Sequence, residues 1–399
     1  MLRQVLPEGF AEAWLGPESG FELQAEVLDR LEDTYYKEFD AASLAENDAE
    51  RENRRRRHGE PEAMPLFTRE DVHDVLDLVR PLRYGARTAI APGVEIAFRD
   101  AGHILGSSIV ELWAEGRKLV YSGDLGPHGT PILRDPEPVR DADLVLMEST
   151  YGDRNHRDRL DTIHEFGDLL EQAWNARGKV LIPAFAVGRS QELLYWFARY
   201  WDEWQLSRWR IFLDSPMAAK VVAVYDRHRT LFDEEAREVW KRRPNPFTLP
   251  NLHLTDSTEA SMAINRIENG AIVIAGSGMA NGGRILHHFR HNIERRATHV
   301  VFVGYQAEGT LGRRLVDGAA TVRIHGEEYR VNAQVHTIGG LSAHTDQSGL
   351  LAWYGHFEGN PPVVLVHGED RAREPLAREL RRRGAGEVTL ARPGTAVEV

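Results

Sequence analysis

Hydrophobic positions along this chain follow three successive rhythms. Near the start, Leu23, Val27, Leu31, Tyr35 and Phe39 recur at four-residue steps, which predicts a helix within residues 20–57 that closes in the charged run Glu50–Arg57. Thr68–Val79, TREDVHDVLDLV, opens with the capping-box pair Thr68 and Asp71 and predicts a second helix. The period then drops to two. Val94–Asp100 alternates as a half-buried strand does, and Ile109–Ala114 and Lys118–Ser122 flank Glu115-Gly116-Arg117, a hairpin with a glycine turn. After Asp141 the apolar runs become short and continuous, each leading through a loop to a helix. KVLIPAF precedes SQELLYWFARYW, RIFLD precedes MAAKVVAVYDRH, AIVIA precedes RILHHFRHNI, and HVVFVGY precedes RRLVDG. Repeated units of this kind predict a parallel sheet covered by helices. From Thr321 the chain returns to strands, then a helix at Arg371–Arg382 and a short C-terminal strand.

Five of the apolar runs stop at a histidine or a carboxylate. Val94–Ala101 leads to His103, Lys118–Gly123 to Asp124, Leu144–Met147 to Glu148, a stretch ending in GGLSA to His344, and Val363–Val366 to His367. Strands of one sheet deliver their ends to a common edge, so these residues are expected to converge. Histidine with aspartate is the donor set of a zinc site without thiolates, and the chain has no cysteine. The pattern therefore suggests a metal-dependent hydrolase.

Each residue has a plainer reading as well. His103, in DAGHILGSS, fits a structural loop histidine, and Asp124, in YSGDLG, fits a turn cap. His367 leaves an almost purely apolar strand. Glu148 emerges from another, where a carboxylate needs a partner or a function. Beside a metal, a Glu148–His344 pair would orient and protonate a leaving group. Against this, Ser342, Thr345 and Asp346 are all good caps for a following helix. The loops at Gly188, Gly276–Gly278 and Gly309 open helices whose free N–H groups suit phosphates. None of them carries a Walker or dinucleotide pattern. His287, His288, His291 and His356 read as helical surface or packing positions.

Composition narrows the setting. With 399 residues, 42% hydrophobic and 28% charged, the chain has room for two domains or one with a large insertion. No apolar stretch approaches the roughly 20 residues of a membrane helix, and the N-terminus has no secretory pattern, so a cytoplasmic protein without membrane contact is the expectation. A net charge of −12 excludes a body coated in basic surface for non-specific nucleic-acid binding, though not a local basic groove. The cluster Arg54–Arg57 reads as a solvated helix end or an RNA backbone contact.

Taken in order, the motifs resemble the β-CASP ribonucleases of the metallo-β-lactamase superfamily. The bacterial and archaeal relatives of the cleavage-and-polyadenylation endonuclease are the most similar branch. DAGHILGSS and YSGDLG resemble the family's third and fourth metal motifs; ESTYGDR, SAHTD and VHGE resemble its motifs A, B and C. PAFAVGRSQELL, LDSPMA, GSGM and GYQAEGTLGR resemble further family blocks. The resemblance implies a metallo-β-lactamase αββα sandwich, N-terminally incomplete, with an inserted parallel α/β β-CASP domain. Its expected boundaries are 1–185 and 321–399 for the sandwich (1–45 atypical and helical) and 186–320 for the insert.

The implied roles follow residue by residue. His103 would bind one zinc, Asp124 would bridge two, and His367 would bind the second. Glu148 and His344 would serve catalysis at the scissile phosphate, and Arg189, Ser215, Ser277, Gly278 and Ser342 would hold the RNA. The family's His-x-His-x-Asp-His motif occurs nowhere in this sequence. With three of seven expected ligands, the implied occupancy is at most one weakly held zinc in place of two. Two accounts are open, a chain that starts late and a natural loss. They lead to two functional readings: an RNA-cleaving metallo-hydrolase, or a non-catalytic RNA-binding or scaffold paralogue. A homodimer or a β-CASP paralogue is a compatible partner.

Overall fold

The structure, a computed structural model, describes residues 74–396 apart from 77, 243, 244, 393 and 395. The helix expected within 20–57 and the cluster Arg54–Arg57 lie outside the described residues. Of the helix expected over 68–79, positions 74–76, 78 and 79 are described; 74–76 and 78 are helical and 79 is not.

One sheet has seven strands in the order β1 (Thr88–Ala91), β2 (Val94–Asp100), β3 (Ser108–Ala114), β4 (Arg117–Tyr121), β5 (Leu144–Met147), β14 (Val363–Leu365) and β15 (Val388–Leu390). β3 is antiparallel to both β2 and β4, while β5 is parallel to β4 and β14. The C-terminal ends of β2, β4, β5 and β14 therefore share one edge. The β3–β4 turn is tighter than the sequence suggests. Glu115 (φ 51°) and Gly116 (φ 75°) make a two-residue loop, the positive φ pair that matches strand twist, and Arg117 joins β4 opposite Ala114. One face of this sheet is covered by helices Gln347–Tyr354 and Asp370–Arg382. Leu350, Leu351, Leu376 and Leu380 pack there against Ile109, Val120, Val145, Met147 and Leu365.

The second sheet has six strands, in the order β13 (Gln334–Thr337), β10 (His299–Phe302), β6 (Lys179–Pro183), β9 (Ala271–Ala275), β7 (Arg210–Leu213) and β8 (Leu252–Leu254), all parallel. β6, β9 and β10 are buried at every position, which is why they read as unbroken apolar runs. Helices Arg159–Asn175, Arg189–Arg199 and Pro216–Arg227 contribute to one core cluster and Arg284–Asn292 and Leu311–Val316 to another. Helices Arg159–Asn175, Glu234–Arg242 and Thr258–Asn265 and strands β1 and β8 are additions to the elements read from the sequence, while the helix offered after the caps Ser342, Thr345 and Asp346 runs over Gln347–Tyr354 with Asp346 as its N-cap. β11 (Thr321–Ile324) and β12 (Glu327–Arg330) pair only with each other.

The six-stranded sheet draws one strand from either side of the expected 186–320 insert, β6 upstream and β13 downstream. The chain thus enters and leaves this unit along strands that flank β10 on its two sides. One expectation is corrected by this topology. The stretch before His344 is not a strand of the sheet that ends at the other four residues. It leaves β13 of the second sheet and passes through the 3₁₀ turn Gly339–Leu341. His344 reaches the common edge from across the junction of the two units.

The loops after β2 and β4 are pressed together. Gly126 donates its N–H to Ala101 O at 2.8 Å, and a Cβ at Gly126 would sit 1.8 Å from Gly102 O. Gly116, in contrast, has open space around it. Gly126→Ala is expected to cost about 2–4 kcal/mol because backbone must move, whereas Gly116→Ala meets only the left-handed backbone penalty of roughly 1–2 kcal/mol. Urea unfolding of both variants checks this; equal losses would show that the loop contact does not carry the difference.

Candidate active site

Glu148, directly after β5, is fully buried. Its Oε1 accepts the N–H of Leu125 at 2.7 Å and faces His344 Nδ1 at 3.0 Å, while Oε2 accepts the N–H of Thr150 at 3.1 Å. Burial alone would push this carboxyl up. His344 and the hydrogen bonds outweigh burial and hold it below the usual carboxylate value. Burial pushes His344 down in turn, but Glu148 outweighs it and holds the imidazole above its ordinary value. Each member of the pair therefore favours the charged form of the other. Because Leu125 follows Asp124 and its carbonyl accepts the N–H of Thr345 at 2.7 Å, the same contacts tie the Asp124 loop to the His344 segment.

His103 donates Nδ1–H to Ala343 O at 2.9 Å, which leaves Nε2 as the unprotonated nitrogen, 3.8 Å from Asp124 Oδ2. Burial, with the charge of His344, pushes its pKa down to about 4, so the ring is the neutral imidazole that binds metals. The other oxygen of Asp124, Oδ1, lies 3.3 Å from His367 Nδ1. His367 is half-exposed, with its backbone in the left-handed region at φ 48°. Thr150 Oγ1 lies 3.2 Å from His367 Nδ1 and 3.4 Å from His344 Nδ1, and donates to His367 O at 3.2 Å.

The structure thus brings together His103, Asp124, Glu148, His344 and His367, the five residues singled out at run ends. Donor atoms of His103, Asp124 and His344 lie within 4.8 Å of one another, as do those of Glu148, His344 and His367. His103 and His367 fall in different groups, each against a different oxygen of Asp124. A carboxylate flanked in this way, with imidazoles and no thiolate, suits a metal centre.

The remaining sequence candidates are placed differently. Arg189 is buried beside Glu192 in an ion pair and lines a small cavity next to His103. Ser342 is buried, and its Oγ accepts the N–H of His344 at 3.2 Å. Ser215 caps helix Pro216–Arg227 through Ala218 N–H, and Ser277 accepts the N–H groups of Asn281 and Gly282, so both hydroxyls are engaged in their own turns. Gly278 offers its carbonyl to Gln306 at 3.0 Å. His288 is buried against Asp214 (2.6 Å), a packing role, and His356 lies beyond the helix that ends at Tyr354. Thr150 and His156, whose Nε2 bonds His344 O at 2.9 Å, were not singled out by sequence. Thr150 stands inside ESTYGDR, two places after Glu148, and that adjacency was the available signal.

Comparison with known proteins joins this geometry to a family. A Beta-Casp domain pattern matches residues 190–315, and the pattern of the Zn-dependent metallo-hydrolase RNA specificity domain matches residues 328–391. A ribonuclease of Thermus thermophilus is 46% identical over 335 residues, which are 84% of this chain and 76% of that protein. The chain belongs to the β-CASP ribonucleases of the metallo-β-lactamase superfamily. The transcription termination factor FttA of Pyrococcus abyssi, 32% identical, matches 80% of this chain, which spans 51% of that longer protein. Its relative in Thermococcus kodakarensis is 33% identical over 76% of this chain and 49% of its own length. The matched RNA specificity domain and the ribonuclease relative make this a metal-dependent hydrolase of RNA, and the two sheets with their inserted parallel unit are its α/β architecture. Among the described residues, no helix is long and apolar enough to cross a membrane.

In metal-free protein the His344 imidazole is expected to titrate above its ordinary 6.5. Glu148→Gln removes the carboxylate that favours the protonated ring and is expected to move the midpoint down, since burial then acts unopposed. Histidine proton shifts followed through a pH titration read this directly; an unmoved midpoint would show that the pair is not coupled.

Proposed function

We propose that this chain hydrolyses RNA phosphodiester bonds at the junction of its two sheets, with His103, Asp124 and His367 as metal ligands and Glu148 and His344 as the catalytic pair. The supporting observation is the division of labour around Asp124. His103, a neutral imidazole, and His367 lie on its two oxygens, while the adjacent His344 is held by the buried Glu148 carboxylate, which favours its protonated form. Zinc, when bound, would activate water and neutralise phosphate charge. Glu148 keeps His344 protonated and fixed through Nδ1, which leaves Nε2 for the phosphate and the departing oxygen. A histidine held so is a general acid, and its proton transfer contributes typically ~10²–10⁴-fold. Ser342 orients the same residue from its backbone side, and Arg189 supplies positive charge near the cluster, opposed by Glu192.

Occupancy limits the rate. Among the described residues, with His344 paired to Glu148, the histidines left for a metal at Asp124 are His103 and His367, fewer than a closed pair of zinc sites requires. The purified chain is expected to hold substoichiometric zinc and to cleave RNA slowly, with chelator abolishing what cleavage there is. Zinc by atomic absorption and gel assays of labelled RNA check both. Robust chelator-sensitive cleavage would overturn the account of too few ligands, and cleavage indifferent to chelator would overturn the metal chemistry.

The small donor set also favours a second reading, a non-catalytic RNA-binding or scaffold paralogue of an active β-CASP partner. It predicts RNA binding unaffected by chelator and by His367→Ala. Loss of binding in either case would remove it. His344→Ala separates the readings, since it should lower residual cleavage by about 10²-fold or more under the first and leave RNA binding intact under the second.

A further inference from the structure

The inserted unit touches the two histidine loops at matching places. Leu105, two residues after His103, donates its N–H to Tyr225 Oη at 3.2 Å. Glu369, two residues after His367, accepts the hydroxyl of Tyr305 at 2.7 Å. Tyr225 lies on helix Pro216–Arg227 and Tyr305 in the loop after β10, both in the six-stranded unit. The loops they hold follow β2 and β14 of the other sheet.

Both contacts draw polar groups away from simpler local uses. Tyr225 is buried, and burial pushes its phenol far up, so it stays neutral and serves as acceptor for an N–H that no strand uses. Within its loop, Ser107 Oγ accepts the N–H groups of His103 (3.1 Å) and Ile104 (3.3 Å), so the loop is tied internally and Tyr225 holds it from outside. Glu369 is the N-cap residue of helix Asp370–Arg382, yet its side chain makes no cap bond to that helix. Its Oε1 reaches across the junction to Tyr305, while its Oε2 pairs with Arg371 Nε at 2.6 Å on the same helix, and Arg371 in turn donates across the junction to the Tyr305 hydroxyl at 3.1 Å. The Tyr305 ring also packs edge-on against Tyr151, at 5.5 Å, three residues after Glu148. The left-handed backbone of His367 costs free energy for a residue with a Cβ, so that loop needs support from its surroundings.

We propose that Tyr225 and Tyr305 are positioning residues, through which the inserted unit sets the separation of His103 and His367 across Asp124. Metal affinity in the first unit is then controlled by the docking of the second. The inference rests on the reading of His103 and His367 as metal ligands.

The test is a titration of the metal-free full chain with Co²⁺ alone, followed by visible absorption. Tyr305→Phe and Tyr225→Phe are each expected to weaken Co²⁺ binding by about ten-fold and to alter the ligand-field bands. Tyr354→Phe, which loses a buried hydroxyl bond to Pro361 O within the first unit, is expected to leave both unchanged. Glu369→Gln, which keeps an acceptor for Tyr305, should fall between wild type and Glu369→Ala. Tyr305 is half-buried, and if Tyr225→Phe fails to fold, Tyr305→Phe with the Glu369 pair carries the test. Unchanged affinity and spectrum in the tyrosine variants, where His103→Ala and His367→Ala abolish binding, would overturn the positioning role alone. Co²⁺ binding that survives both histidine variants would overturn the ligand reading, and this inference with it.

Discussion

A carboxylate with no exposure to water organises this site. Glu148 ends a strand deep in the protein, and a buried charge of that kind is tolerated only when it is paired and hydrogen-bonded. Its partners come from three segments: the Leu125 N–H from the loop after β4, the Thr150 N–H from its own turn, and the His344 imidazole from beyond β13. Satisfying one charge therefore fixes the Asp124 loop, the Thr150 hydroxyl and the His344 ring at once. Burial, with the charge of His344, lowers the pKa of His103, whose ring centroid lies 4.4 Å from that of His344.

The two-sheet architecture explains how such different segments meet. Four parallel strands of the seven-stranded sheet present their ends along one edge, as open α/β sheets do. The fifth residue arrives from the other sheet, so the Glu148–His344 pair spans the junction while Asp124, His103 and His367 stay with the first unit. The inserted unit is therefore part of the site. Its exit strand carries His344, its helix Arg189–Arg199 places Arg189 beside His103, and its tyrosines touch both histidine loops.

Much of this was legible in the chain. The unbroken apolar runs of β6, β9 and β10 announced a parallel sheet, and the residues at run ends named the five groups of the site. Ser215 and Ser277 show the limit of motif reading. Each stands in a block that resembles the family, yet its hydroxyl caps or closes its own turn, because a side chain two or three residues from free N–H groups meets them before anything distant. Helix Gln347–Tyr354 was legible only from its cap, Asp346, because its own residues are apolar nearly all round, with Leu350, Leu351, Trp353 and Tyr354 all buried, and lack the polar face that marks a surface helix.

By itself the sequence determined which residue types close the strands, that the chain offers no thiolate, and that alternating strands give way to repeated strand–helix units of a parallel sheet. These follow from local periodicity and composition, which record whether a position is buried and on which side. Only the tertiary structure decided that His344 comes from the second sheet, that Asp124 turns one oxygen to His103 and the other to His367, and that Thr150 lies between two imidazoles. Those facts depend on strand order and on contacts between segments nearly 200 residues apart, such as Thr150 with His344, and no local pattern encodes them.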